Sequence, residues 1–342
     1  MDKRHLFSRA LLFVAMLLLL GVAQARANVF SDFNEKEQQL YQNAIHFMDN
    51  GMVDTGIDLL KGLDKAHPSN RAVVYEIVYG YIVKQDYEEA YQWAKKLLKL
   101  KDADADSYFI AGNAFDYVGK RKEAIEIYEK GLKKFPNSVR LWVEKGNMAY
   151  MMKNYDESVG CYEHAIDVDP NYDASYYRLA NLYAMSTDPV WAVMYAQNYQ
   201  LHASKYERLM EMGKLIYDLY RENVTRKDGK WKVTFTKKVN LSAYASQDCD
   251  IPYNGYFYHL HKVVLDEGGF AGDTLTLADV ARLHRKYVEI ADTTAHDYYN
   301  VPVLDMERAA LHEGHLDGYI MWMLRGADVE FGNKYFGTAQ CD

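Results

Sequence analysis

At 342 residues the chain is long enough for a sizeable core and for two domains. With 49% apolar and 14% aromatic residues its composition is that of an ordered chain. Forty-eight acidic residues against 40 basic ones leave a formal charge of −8. That balance argues against nucleic acid and anionic membrane surfaces as partners, since both reward basic proteins.

The N-terminus carries Lys3, Arg4 and Arg9 ahead of an apolar run over 11–22. Ala23-Gln24-Ala25 and Ala25-Arg26-Ala27 follow as small-x-small sites. This is the pattern of a cleavable export signal over 1–27, which places the mature protein in the periplasm or outside the cell. The run is short for a membrane span, which needs ~20 residues. Cleavage after Ala25 removes three basic residues and one acidic one, so the charge moves from −8 to −10. Of the three cysteines, Cys161 falls between apolar positions of a helix and reads as a small buried hydrophobe. Cys249 and Cys341 either pair, closing a long loop worth about 4 kcal/mol, or remain separate thiols.

From 28 to 222 the chain reads as helical hairpins. Segments 34–50 and 52–66 form a degenerate first pair, with Pro68 on a 34-residue grid. A second pair, 71–85 and 87–100, keeps Tyr81, Tyr87 and Ala90, and Asp102 takes the place of a closing proline. The grid is strongest over 105–173, where Gly112 recurs as Gly146, Asn113 as Asn147, Tyr128 as Tyr162 and Pro136 as Pro170. A fifth pair over 174–185 and 188–201 keeps Leu179-Ala180-Asn181-Leu182-Tyr183, and Pro189 opens its second helix. Helical sequence over 205–220 then caps the stack. A pair this short cannot bury its apolar face alone, so neighbours must stack and share a core. Gly112, Gly146 and Ala180 let the partner helix approach, as do Ala90, Ala124, Ser158 and Ala192 on the second helices. Pro136 and Pro170 stop the second helices, because proline cannot donate to the helical ladder.

The segments YFIAGNAFDYVGKRKEAIEIYEKGLKKFPN and WVEKGNMAYMMKNYDESVGCYEHAIDVDPN resemble the W-x-x-L-G-x-x-Y…A…P pattern of the tetratricopeptide repeat family. The resemblance implies an α-solenoid of about five hairpins that binds a protein or peptide. The segment GHLDGYIMW is similar to one in exported bacterial tetratricopeptide proteins of uncharacterised role, which brings no known activity.

At residue 223 the character changes. Asp228-Gly229 is a turn signal followed by Trp231, Val233 and Phe235 at period two, which predicts a β-hairpin. Phe257, Leu260, Val264 and Leu265 are spaced as on a helix. Thr276-x-x-Asp279 caps another, carrying Leu277, Val280, Leu283 and Tyr287. Two more are expected over 303–313 and 316–324, broken at Gly314. Residues 223–342 are thus expected to form a smaller α-rich α+β region.

Asn113, Asn147 and Asn181 occupy the ninth position of three successive repeats. In tetratricopeptide stacks the first helix lines the concave groove, and positions two, five, nine and twelve face it at 3-4-3 spacing. A ladder of amides there can donate to and accept from an extended peptide backbone. Beside it fall Tyr75, Tyr79, Phe109, Tyr150 and Tyr177, with Asp106, Asp116 and Arg140. Tyrosine gives contact area and a hydroxyl at low entropy cost. The family's basic clamp for acidic C-terminal tails needs Lys or Arg on the inner face, and only Arg140 qualifies.

Six of the eleven histidines (His259, His261, His284, His296, His312 and His315) lie in the last third. A metal-dependent hydrolase using His259, His261, His312 and His315 is the alternative reading. Against it, His312-Glu313-Gly314-His315 has i, i+3 spacing where the zinc-hydrolase helix needs i, i+4. No nucleophile elbow, phosphate loop, dinucleotide fingerprint or C-x-x-C is present. The leading expectation is an exported, non-enzymatic interaction protein without a cofactor.

Overall fold

In a computed structural model the residues described are 33–236, 253–294 and 302–328. The expected export signal, Cys249, Cys341 and His296 lie outside them. Among the described residues are fifteen helices and one two-stranded sheet. The helices are α1 (Glu35–Asp49), α2 (Val53–Ala66), α3 (Arg71–Val83), α4 (Tyr87–Leu97), α5 (Ala105–Tyr117), α6 (Arg121–Lys134), α7 (Val139–Met151), α8 (Tyr155–Val168), α9 (Asp173–Ala184), α10 (Val190–His202) and α11 (Tyr206–Asn223). Strands β1 (Val224–Lys227) and β2 (Lys230–Val233) follow, then α12 (Tyr253–Asp266), α13 (Leu277–Thr294), α14 (Pro302–His312) and α15 (Leu316–Met323). The described residues divide into two compact units, the first ending at Met148 and the second starting at Ala149, inside α7.

In the first unit each helix packs antiparallel on the next from α1 to α6, and the leading helices α1, α3 and α5 are neighbours. The helix starts are written in side chains. Asn34 accepts from the Glu37 N–H while Glu37 reaches back to the Asn34 N–H, and Asp104 and Ser107 make the same reciprocal cap. Close approach depends on Gly112: a Cβ there would stand 2.1 Å from the Tyr128 ring. The leading helices also end alike. Gly51, Gln85, Gly119 and Lys153, spaced by 34, all have positive φ, between 61° and 80°. After each, the next N–H bonds back to the carbonyl five residues earlier, as Asp86 does to Tyr81 and Lys120 to Phe115, at 2.9 Å in both. This is the left-handed helix stop, which glycine adopts freely and other residues at a cost of about 1–2 kcal/mol.

In the second unit α8 packs on α9, α9 on α10 and α10 on α11. Cys161 is buried here, as expected of a small hydrophobe. β1 pairs antiparallel with β2, Val224 opposite Val233, across a turn in which Asp228 and Gly229 both have positive φ. That is the turn form that matches strand twist, so the expected hairpin is present. Thr276 and Asp279 cap α13 reciprocally, again as expected. The change of element type at 223 brings no break in the core. Tyr176, Ala180, Val193, Met212 and Ile216 belong to one buried cluster with Phe235, Phe257, Leu260, Val280, Leu283 and Ile320. Helices α12 to α15 therefore pack onto α10 and α11 instead of standing apart. No described helix is long and apolar enough to cross a membrane.

Candidate functional site

Three of the predicted binding residues of the first unit are brought together around one guanidinium. Arg140 on α7 donates through Nη1 to Asp106 at 2.7 Å. Its plane lies over the Phe109 ring, 3.9 Å from the centroid. It also hydrogen-bonds the hydroxyl of Tyr75, whose phenol burial raises. The pair with Asp106 is exposed and contributes only about 0–1 kcal/mol to stability. Its effect is to hold an aromatic and guanidinium platform across α3, α5 and α7. Tyr79, one turn beyond Tyr75, is 43% exposed beside it. Glu76 is half-buried and bonds Tyr41, and burial, aided by Asp49, lifts its carboxyl to about 7.

The amides make three different local contacts. The Tyr128 hydroxyl donates to Asn113 Oδ1 at 2.6 Å, so that acceptor is engaged by the second helix of its own hairpin. Asn147 Nδ2 donates to Glu144 at 3.0 Å, one turn back on α7. Asp116 accepts from Arg121 Nε at 3.0 Å. In the second unit Asn181 Nδ2 donates to the Tyr177 carbonyl at 2.9 Å. Tyr177 itself donates to Glu211 at 3.0 Å and lies under Arg208, 4.6 Å from its ring centroid. Tyr150 is 41% exposed, with its ring 5.8 Å from that of Tyr155.

The four histidines of the metal reading are not brought together. His261 is wholly buried, His259 and His315 are exposed, and His312 faces Asp292 at 2.9 Å. Among the described residues no three His, Cys, Asp or Glu side chains gather as a metal site requires. His261 belongs instead to a line of polar groups inside the second unit, one from each of five successive helices. Gln197 on α10 donates to Glu307 on α14 at 2.7 Å, and Glu307 faces His284 Nε2 on α13 at 2.7 Å. His284 Nδ1 meets the Tyr220 hydroxyl of α11 at 2.8 Å, and that hydroxyl meets His261 Nε2 of α12 at 3.0 Å. His261 Nδ1 lies 2.7 Å from the Phe257 carbonyl.

A carbonyl only accepts, so Nδ1 of His261 carries the proton and Nε2 accepts from Tyr220. The tyrosine oxygen then accepts from His284 Nδ1–H, and the His284–Glu307 contact needs a proton on its own line. All five residues are at most 3% exposed, so the line is closed to a substrate and serves the fold. Burial is the main cause that holds His261 at about 3, with His284 adding to it. The unfolded imidazole titrates near 6.5. Below that value the unfolded chain binds a proton that the folded one refuses, so acid destabilises the second unit. We expect up to about 1.4 kcal/mol lost per pH unit between 6.5 and 3 from this residue. Chemical denaturation of the His261→Gln variant at pH 7 and pH 5 checks this. An unchanged pH slope would refute the assignment.

Consecutive antiparallel helices with a small residue at a fixed place in each pair define a helical-repeat protein. Tetratricopeptide repeat models match residues 105–137, 139–172 and 161–203. The chain is a tetratricopeptide repeat protein over that stretch. Similar solved structures include residues 41 to the end of MamA from Desulfovibrio magneticus RS-1, at 15% identity and TM-score 0.42 over 49% of this chain and 96% of that one. TTC0263, a thermophilic TPR protein of Thermus thermophilus, is similar at 14% identity and TM-score 0.46 over 53% and 98%. PilW, a type IV pilus biogenesis factor, is similar at 15% identity and TM-score 0.47 over 54% and 86%. No curated protein matches the chain in sequence.

Proposed function

We propose that the protein is an exported, non-catalytic interaction module that binds a peptide or the extended segment of a partner protein along its leading helices. A place as a scaffold for envelope complexes follows from that reading. What carries it is the platform of Tyr75, Phe109 and Arg140 with exposed Tyr79 beside it. Tyr and Arg side chains held in place by their neighbours are the residues that dominate binding energy at interfaces. Arg140 is already paired with Asp106, which favours a partner read through backbone and aromatic contacts over an acidic tail. Asn113, Asp116 and Asn147 would extend the contact in the first unit. Tyr150, Tyr177 and Asn181 would supply it in the second.

The test is a displayed random-peptide library panned on the full chain recovered from the envelope fraction, with its intact mass measured. We expect enriched peptides to bind the Tyr79→Ala/Arg140→Ala variant at least tenfold more weakly, about 1.4 kcal/mol, at an unchanged melting temperature. Peptides that bind both forms equally, or none enriched at all, would sink the binding reading. A chain recovered at its full unprocessed mass, or only from the cytoplasm, would sink export.

A further inference from the structure

The second unit holds a cleft of about 570 Å³ between the β-hairpin and the end of α12, lined by Arg226, Lys230, Trp231, Lys262 and Phe270 and by the Gly268-Gly269 loop. That volume lies in the range that takes a small molecule, about 300–1,000 Å³. Its floor is aromatic: the Trp231 and Phe270 rings meet edge-to-face at 6.2 Å and 82°. Both glycines have positive φ, 91° and 90°, and leave the mouth without side chains.

The charges around the cleft are unequal. Lys262 is paired with Asp266, which also lines the wall. Arg282 lies over Phe270 at 4.2 Å and donates to Asp279 at 3.0 Å and to the Gly269 carbonyl at 2.6 Å, so its charge is met and it holds the loop. Arg226 and Lys230 remain. Among the described residues neither has a carboxylate within ion-pair distance, in a chain of net charge −8. Arg226 spends Nε on the Gly229 carbonyl at 3.3 Å, which leaves both terminal nitrogens as a free fork. It also lies 5.7 Å from the Trp231 ring centroid.

We propose that this cleft binds a small phosphomonoester, its phosphate between Arg226 and Lys230 and its planar or apolar body against Trp231 and Phe270. Two uncompensated cations match a phosphate, which carries about −1.5 to −2 at pH 7, better than a carboxylate. A guanidinium fork also suits phosphate oxygens in pairs. The site is independent of the peptide-binding reading.

The experiment is calorimetric titration of the full chain with phenyl phosphate at low salt. Binding with a Kd below about 1 mM is expected, weakened at least tenfold in Arg226→Ala/Lys230→Ala. Lys230→Glu, a change at an exposed strand position, is expected to weaken it likewise and guards against a misfolded double variant. Benzoate and inorganic phosphate are expected to bind more weakly, and benzyl alcohol not at all. No binding of phenyl phosphate, equal binding by the folded variants, or equal affinity for benzoate, inorganic phosphate or the alcohol would overturn the assignment.

Discussion

Glu307→Leu is expected to destabilise the second unit by about 3–5 kcal/mol, the cost of breaking a buried, hydrogen-bonded polar pair from one side. Glu307 is 2% exposed and accepts from Gln197 while facing His284 at 2.7 Å. Leucine leaves Gln197 Nε2 without this acceptor and His284 Nε2 facing apolar carbon. Each stranded group costs about 1–3 kcal/mol by itself. The loss should extend past the two contacts, because the Tyr220 hydroxyl and His261 are ordered by the same line. Thermal melting followed by circular dichroism should fall by about 10 °C for a unit of this size. Glu307→Gln, which keeps the shape and an oxygen that can still accept from Gln197, should fall by less. A leucine variant that melts with the wild type would show that the line contributes nothing to the fold.

The second large effect is expected in the first unit. Tyr128 is completely buried, with its ring against Gly112 and its hydroxyl on Asn113 at 2.6 Å. Tyr128→Ala empties the space beside the Gly112 backbone and should cost about 3–5 kcal/mol. Tyr128→Phe keeps the ring and removes one hydrogen bond, for about 1 kcal/mol. Urea denaturation of the two variants separates the terms. Equal losses would assign the stabilisation to the hydroxyl, and no loss in either would show that the hairpin closes without the ring.

Tyr128 stood in the sequence only as a recurring position, but the close helix approach at Gly112 was legible, because a 34-residue grid returns a small residue there. So were Thr276 with Asp279 and Asp228 with Gly229, where the residues that set the backbone are close together in the chain. The left-handed helix stops were half hidden: Gly51 and Gly119 point to them, whereas Gln85 and Lys153 hold the same conformation without glycine's signature.

The platform residues could be placed on one face by spacing alone, but not the ion pair between Arg140 and Asp106 that fixes them. For the amides, periodicity placed the backbone and said nothing of whether Oδ1 meets a peptide or Tyr128. The polar line in the second unit joins residues up to 110 apart, and no local pattern pairs them. A trace was nevertheless present. His261 lies between Leu260 and Val264, His284 between Leu283 and Tyr287, and Glu307 three residues after Leu304, each on the apolar stripe of its helix. A polar residue on such a stripe needs a buried partner, and that signal outweighs a count of histidines.

Because α12 to α15 share a single core with α10 and α11, the last hairpin has no bare flank to offer another copy of itself. A further hairpin inserted after α11 would have to displace α12 to α15 from that core before it could stack.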